Sequence, residues 1–273
     1  MATKLVSSDL NGTLVHQHTM SDMIRLYLGE ESFRQADAVF KRQTSGQASM
    51  EEAFSTAGPL TKGLTLRQAI EYTRTEMKYL NGFHQFINVL AVKKIPFIIN
   101  STGYSVTIHA IRAQIGKEKI HGMIGNRLIF GENGDTQATL REEELERRIQ
   151  DYFSNPDAVR DTSYDTLKAV GKVELGIIDE AAKAVLLFTY ARAHFSGIRP
   201  SEMVHIGDTI GDRGGIDLVA WTGGKGIAFN YNAPLRDALE GEIIADPALN
   251  SQIYFVQAKG TPSDLQNVLP FVL

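Results

Sequence analysis

Two acidic side chains and one hydroxyl in this sequence stand directly behind apolar, strand-forming runs. Asp9 follows Lys4–Ser8, Ser101 follows Ile95–Asn100, and Asp208 follows Met203–Ile206 and Gly207. A fourth polar group, Lys183, falls within an amphipathic helical pattern from Asp179 to Ala193. In open parallel sheets the ligand crevice lies outside the carboxyl ends of the strands, so residues placed this way share one crevice. Two carboxylates and an ammonium meeting there suit a divalent cation and a phosphoryl group, because Mg²⁺ takes one or two carboxylates together with phosphate and water. Taken singly, a strand-end Asp is more often a turn or cap residue; the convergence carries the reading.

The elements that must position these groups are legible from periodicity. IPFIIN is a near-continuous apolar run, as a central parallel strand covered on both faces requires. Asn11-Gly12-Thr13 is turn chemistry directly after the first strand. From about Ser21 to Leu90 apolar residues recur three and four apart (Met23, Leu26, Tyr27; Leu66, Ala69, Ile70, Thr73, Met77), which predicts helices punctuated by Gly46, Gly58-Pro59 and Gly63. Ser49 and Glu52 have capping-box spacing. A helix is expected over about Ser105–Ile115. Arg127–Phe130 with Asn133-Gly134 predicts a hairpin closed by a two-residue turn. Leu140–Phe153 reads as a charged helix with a solvated face. Further strands are expected at Met203–Ile206 and Gly226–Phe229, with Ile243-Ile244 as the last one. Trp221 reads as a packing residue.

The alternation of strands and helices predicts an α/β protein. It is a doubly wound parallel sheet with a helical domain inserted after the first strand. The expected boundaries are 1–16 and 91–273 for the core and 17–90 for the helical insertion. The stretch 135–178 is set aside as an extra insertion, either a second small cap or a dimerisation element.

Composition narrows the function classes. With 273 residues, 43% hydrophobic and 22% charged, the chain is an ordinary globular one. It has no cysteine, which excludes disulfides, thiolate catalysis and thiolate-bound zinc. The net charge of −4 offers no nucleic-acid footprint. No apolar run reaches the roughly 18 residues that a membrane span needs, and the N-terminus lacks a signal-peptide pattern. The expectation is a cytoplasmic protein acting on a small phosphorylated metabolite, without nucleic acid or membrane partners. The oligomeric state is open.

Four segments together carry a family resemblance. LVSSDLNGTLV resembles the first motif of the haloacid dehalogenase superfamily, INSTGY its second, the helix with Lys183 its third, and HIGDTIGD its fourth. The resemblance runs from about Met1 to Val256. SGQASMEEAF, GLTLRQAIEY and YLNGFHQFINVL are similar to the helical cap of its phosphoserine-phosphatase branch, and GNRLIFGENG to a hairpin of that branch. It implies a Mg²⁺-dependent phosphohydrolase working through an aspartyl-phosphate on Asp9. Asp9, Asp208 and the backbone carbonyl of Asn11 would bind Mg²⁺, with Asp212 as a further carboxylate on the metal side. Ser101, with Thr102 beside it, and Lys183 would hold the phosphoryl group. Simpler roles stand beside these: Ser101 as a helix cap, Lys183 as a solvated lysine with Lys168 or Lys172 in its place, and Asp212 as a loop brace.

Three positions depart from that pattern. Phosphatases of the family carry an acid–base Asp two residues after the nucleophile, and this chain has Asn11. An amide cannot shuttle a proton, so slow or specialised turnover is expected on alkyl phosphates. The alternative is a catalytically impaired module that binds a phosphorylated metabolite or partner. His18 stands where phosphoserine phosphatases carry the Glu that reads the substrate amino group, and Ala57 where they carry the Arg that reads its carboxylate. His18 is therefore a substrate-side candidate, for a small phosphate other than phosphoserine.

Overall fold

The computed structural model describes residues 2–260 and 263–273. Seven strands form one sheet in the order β4-β3-β2-β1-β5-β6-β7. They are β1 (Leu5–Ser8), β2 (Phe97–Tyr104), β3 (Gly122–Glu132), β4 (Leu167–Glu174), β5 (Met203–Gly207), β6 (Lys225–Tyr231) and β7 (Ile253–Ala258). All neighbouring pairs are parallel except β3 with β4. Every residue of β1 is buried, as are Phe97–Asn100 of β2, because helices cover both sheet faces. Strand order reverses at β1, which pairs with β2 on one side and β5 on the other. A crevice opens at such a switch point, beyond the carboxyl ends of the strands.

Between β1 and β2 the chain forms α1 (Thr19–Leu28), α2 (Glu30–Thr44), α3 (Met50–Ala57), α4 (Leu66–Glu71) and α5 (Phe83–Val92). The Ser49 hydroxyl accepts from the Glu52 backbone N–H at 3.0 Å, so one half of the expected capping box forms. The Glu52 carboxylate turns instead to Arg42, 2.9 Å away. Apolar faces of these helices join the sheet's main core: Met23, Phe40, Phe54 and Phe86 belong to one buried cluster with Val6, Ile99 and Tyr104. An aromatic series connects the two layers, from His18 to Phe40 (4.7 Å), Phe54 (5.6 Å) and Tyr104 of β2 (6.2 Å).

The remaining helices are α6 (Ser105–Ile115), α7 (Glu142–Ser154), α8 (Ser163–Thr166), α9 (Glu180–His194), α10 (Arg213–Trp221), α11 (Ala233–Ala245) and α12 (Leu269–Val272). No described helix is long and apolar enough to cross a membrane.

Several sequence expectations change here. Ile243 and Ile244 lie in α11, and the last strand is β7. Asn232 caps α11 through its side chain, and Pro234 sits in its first turn; those start signals outweigh a β-branched pair. The second strand does not stop at Asn100 but runs through Ser101 to Tyr104. Asn133 and Gly134 both have positive φ (51° and 80°), and Asp135 N–H closes the turn onto the Glu132 carbonyl at 2.9 Å. The returning chain meets β3 only at Gly131–Thr139 and neighbouring hydrogen bonds, however, and the true antiparallel partner is β4, beyond α7. The stretch 135–178 therefore contributes an edge strand to the sheet. Nor is α7 merely solvated: Glu142 lies 2.8 Å from His109, and Glu146 lies 3.0 Å from Arg112 and 2.9 Å from Lys117. Trp221 is exposed.

Candidate active site

Asp9 continues β1 into the crevice, its backbone N–H bonded to the Ile206 carbonyl of β5 at 2.8 Å. Its carboxylate is buried and accepts from Lys183 Nζ at 2.9 Å. The Ser101 hydroxyl on β2 also favours its charged form. Burial pushes the Asp9 carboxyl up from 3.8 to about 6; Lys183 pulls it down less strongly, and Asp212 pushes it up further.

Lys183 reaches the crevice because α9 is fixed at two points. Asp179 caps it, accepting from Ala182 N–H at 2.8 Å, and Asn100 of β2 donates to the Lys183 carbonyl at 2.9 Å. The ammonium is only 2% exposed and also bonds Asp212. Burial works against its charge, but Asp212 and Asp9 outweigh that and raise its pKa. A lysine this enclosed is no solvated helix residue, and neither Lys168 nor Lys172 lines the crevice.

Asp208 follows β5 and is buried. Thr13 donates to it at 3.2 Å. Burial, then Asp212 and Asp9, raise its carboxyl well above the ordinary range. Its neighbour Gly12 has φ +81°, and a Cβ there would run into the Asp208 carboxylate. A side chain at position 12 meets both strain and a steric block. Gly12→Ala is expected to destabilise the fold by about 1–3 kcal/mol, read from urea unfolding midpoints. An unchanged midpoint would show that the loop packs differently.

Asp212 serves as a brace and as a charge. One of its oxygens accepts from the Asp208 and Thr209 backbone N–H groups at 3.1 and 3.2 Å, and the other meets Lys183. Burial opposes its ionisation, but Lys183 and His205 keep its pKa below the ordinary value. Oxygen atoms of Asp9, Asp208 and Asp212 lie within 4.8 Å of one another.

Asn11 is half-buried. Its side-chain oxygen accepts from both Thr19 N–H (2.9 Å) and Thr19 Oγ1 (2.8 Å), tying the loop after Asp9 to the start of α1. Ser101 is fully buried and does not cap α6, whose N-cap residue is Tyr104; its hydroxyl accepts from Gly103 N–H at 3.1 Å. Thr102 and His18 line the same cavity of about 230 Å³ as Asp9, Asn11, Lys183, Asp208 and Asp212. His18 rests on Phe40 and lies 3.0 Å from Ser21 Oγ through Nδ1. Enclosure lowers its pKa to about 4, so it is neutral at pH 7. Ala57, by contrast, is packed in the core and not on the cavity wall.

Two residues of the site escape a motif reading. His205 lies inside β5, its Nδ1 3.1 Å from Ser7 Oγ and its Nε2 3.9 Å from Asp212. Its polarity within an apolar strand was the available signal. Lys259 lines the cavity just beyond the carboxyl end of β7. The strand-end rule points to it only once β7, rather than Ile243-Ile244, is the last strand.

No protein-family model matches the chain. It is 23% identical over 241 residues to a phosphoserine phosphatase of Archaeoglobus fulgidus, across 88% of this chain and 56% of that protein. The chain thus spans just over half the length of that curated relative. Among solved structures, a substrate-bound phosphoserine phosphatase complex aligns over 100% of both chains with a TM-score of 0.67 and 18% identity. A phosphoserine phosphatase described as a phospho-aspartyl intermediate analogue aligns over 100% of both chains, with a TM-score of 0.66 and 18% identity. A HAD family hydrolase from Salmonella enterica serovar Typhi covers 87% of this chain and 66% of its own, with a TM-score of 0.63 and 15% identity. In fold, the chain matches these phosphoserine phosphatase structures: a mostly parallel seven-stranded sheet flanked by helices.

Proposed function

We propose that this chain is a haloacid dehalogenase superfamily phosphohydrolase that cleaves a small phosphate monoester through Asp9, assisted by Mg²⁺. The observation that carries the reading is the gathering of Asp9, Thr102, Lys183 and Asp208 around one cavity, with Ser101 buried beside Thr102. Those four lining residues come from four separate elements, and at least 70 residues separate each from the next along the chain except Lys183 and Asp208. The helices between β1 and β2 would act as the cap over that crevice.

The residues present fit a divalent cation. Of the three buried carboxylates, Asp9 and Asp212 share Lys183, and Asp208 has Thr13 but no cationic side chain in contact among the described residues. Hard oxygen donors of this kind suit Mg²⁺. Asp9, Asp208 and the backbone carbonyl of Asn11 would hold it, with Asp212 on the same side bracing the loop. When bound, it supplies positive charge against the carboxylates and the phosphoryl oxygens.

In the first step an Asp9 oxygen attacks phosphorus and the ester P–O bond breaks. Splitting the displacement in two lowers each barrier. Lys183 and Ser101 hold the phosphoryl oxygens where charge develops. The departing alkoxide takes its proton from water, since Asn11 has none to give. In the second step water attacks phosphorus, its surplus proton passes to solvent, and Asp9 leaves with the bonding electrons.

A screen of small phosphate monoesters, run with Mg²⁺ and with EDTA, tests this reading. Hydrolysis that requires the metal is expected; hydrolysis undiminished by EDTA would refute it.

Metal and pH are linked through Asp9. Its folded pKa of about 6 exceeds the ordinary 3.8. In the metal-free protein this group's contribution to stability is therefore full below 3.8 and declines as pH rises through about 6. Mg²⁺ binds the deprotonated form. At roughly a hundredfold its dissociation constant it should stabilise the fold by about 2.7 kcal/mol. Thermal melts should show a Mg²⁺-induced rise in Tm at pH 7.5 that shrinks toward pH 5. A rise independent of pH would place the ion elsewhere.

A further inference from the structure

The cavity that holds the phosphoryl site also carries a charge pattern in its outer wall. Its floor contains Lys183, held by Asp9 and Asp212. Two further lysines line the wall, Lys41 and Lys259, and no arginine does. Lys41 lies 2.7 Å from Asp37, one helical turn earlier on α2, so the two largely cancel. Lys259 is exposed, and its ammonium has no partner among the described residues. His18 is neutral and adds no charge. The outer wall therefore presents one uncompensated positive charge.

The main chain at Lys259 is anchored. Lys259 N–H bonds the Tyr231 carbonyl at 2.9 Å, joining it to the end of β6. Ser263 donates to Asn230 at 2.9 Å, and Asn230 donates to the Gly12 carbonyl at 2.8 Å. Ser263 is thus tied to the loop that follows Asp9. The charge of Lys259 acts on both His18 and Asp208, which line the same cavity.

We propose that Lys259 is a specificity-determining residue that reads a second anionic group, a carboxylate or a second phosphate, on the leaving-group half of the substrate. This rests on the phosphohydrolase reading above and narrows its substrate class. Apart from the three floor carboxylates, the acidic residue lining the cavity is Asp37, already paired with Lys41. An ammonium on the leaving group finds no free acidic partner there. The favoured ester is anionic at its far end and carries no amine. A zwitterion such as phosphoserine gains one contact and lacks the other, and phosphoethanolamine is repelled by Lys259.

The test is calorimetric titration with Mg²⁺ present, using the full chain with Asp9→Asn so that ligands survive. Phosphoglycolate and ethyl phosphate are the probes, alike except for the carboxylate. Phosphoglycolate should bind about tenfold more tightly, as a charge-assisted hydrogen bond in a partly enclosed cavity allows. Adding Lys259→Met should erase that preference, and adding Lys259→Arg should keep most of it. Thermal melts of the variants should coincide, which separates recognition from folding. Equal weakening of both esters by Lys259→Met would mean that the lysine holds the phosphoryl group and would overturn the proposal. No change in either would overturn it as well. If inorganic phosphate fails to bind the parent chain, with Asp9 intact and Mg²⁺ present, the phosphate-site reading fails, and this inference falls with it.

Discussion

Asp9→Asn should lower turnover of any phosphate ester by at least about 10⁴-fold, because nothing else in the crevice can take its place as nucleophile. Asp212 has one oxygen on two loop N–H groups and the other on Lys183. Asp208 accepts from Thr13 and has Gly12 packed against its carboxylate. The fold should survive the change. Burial already disfavours the Asp9 charge, an amide of the same shape removes that penalty, and Lys183 retains Asp212 as a partner. Circular dichroism and unfolding midpoints should match the parent while phosphate release disappears. A variant that hydrolyses esters as fast as the parent would locate the chemistry at another site.

Asn11→Asp should act in the opposite direction. General acid–base help is typically worth about 10²–10⁴-fold, or roughly 3–5 kcal/mol of barrier. The position is prepared for a carboxylate. The present amide oxygen already accepts two hydrogen bonds from Thr19, and an Asp oxygen can accept the same pair. Its second oxygen would then lie where the amide nitrogen is now, on the cavity wall. Alkyl phosphates, whose leaving oxygen needs a proton, should gain close to the full factor in kcat. For the first step with aryl or acyl phosphates, whose leaving groups depart unaided, the gain should be less than about tenfold. Leaving-group dependence that is unaltered by the substitution would contradict a proton-transfer role at this position. If Mg²⁺-supplemented protein stays inactive with either residue at position 11, the chain is a phosphate-binding module rather than a hydrolase.

The two substitutions also explain what was legible in the sequence. Asp9, Ser101 and Asp208 could be found because parallel strands covered on both faces read as apolar runs, and the residue after each run is displayed at the crevice. Lys183 could be found from the helical pattern over Asp179–Ala193 and from the resemblance of that helix to the family's third motif. The same logic failed for the final strand. Ile243-Ile244 is a β-branched pair, but Asn232 and Pro234 start a helix that carries it. The true strand, Ile253–Ala258, contains Gln257 and ends without a motif. Losing that strand meant losing Lys259. Ser101 and Asp212 were ambiguous for a different reason. Their hydrogen bonds run to backbone groups two to four residues away, and local spacing alone cannot separate a cap or brace from a site residue. Asp212 turns out to brace the loop and to pair with Lys183 at once. The antiparallel edge strand β4 was hidden because its partner lies across α7, beyond the reach of any turn signal.

The central claim is that Asp9 carries the phosphoryl group during turnover. It is tested most directly by incubating the chain with acetyl phosphate and Mg²⁺, quenching in acid, and sequencing the peptides by mass spectrometry. With Asn11 unable to activate water, the covalent species should accumulate, giving a single phosphoryl increment on the peptide that contains Asp9, removable by hydroxylamine. A phosphoryl group on any other residue, or steady hydrolysis with Asp9 never modified, would contradict it.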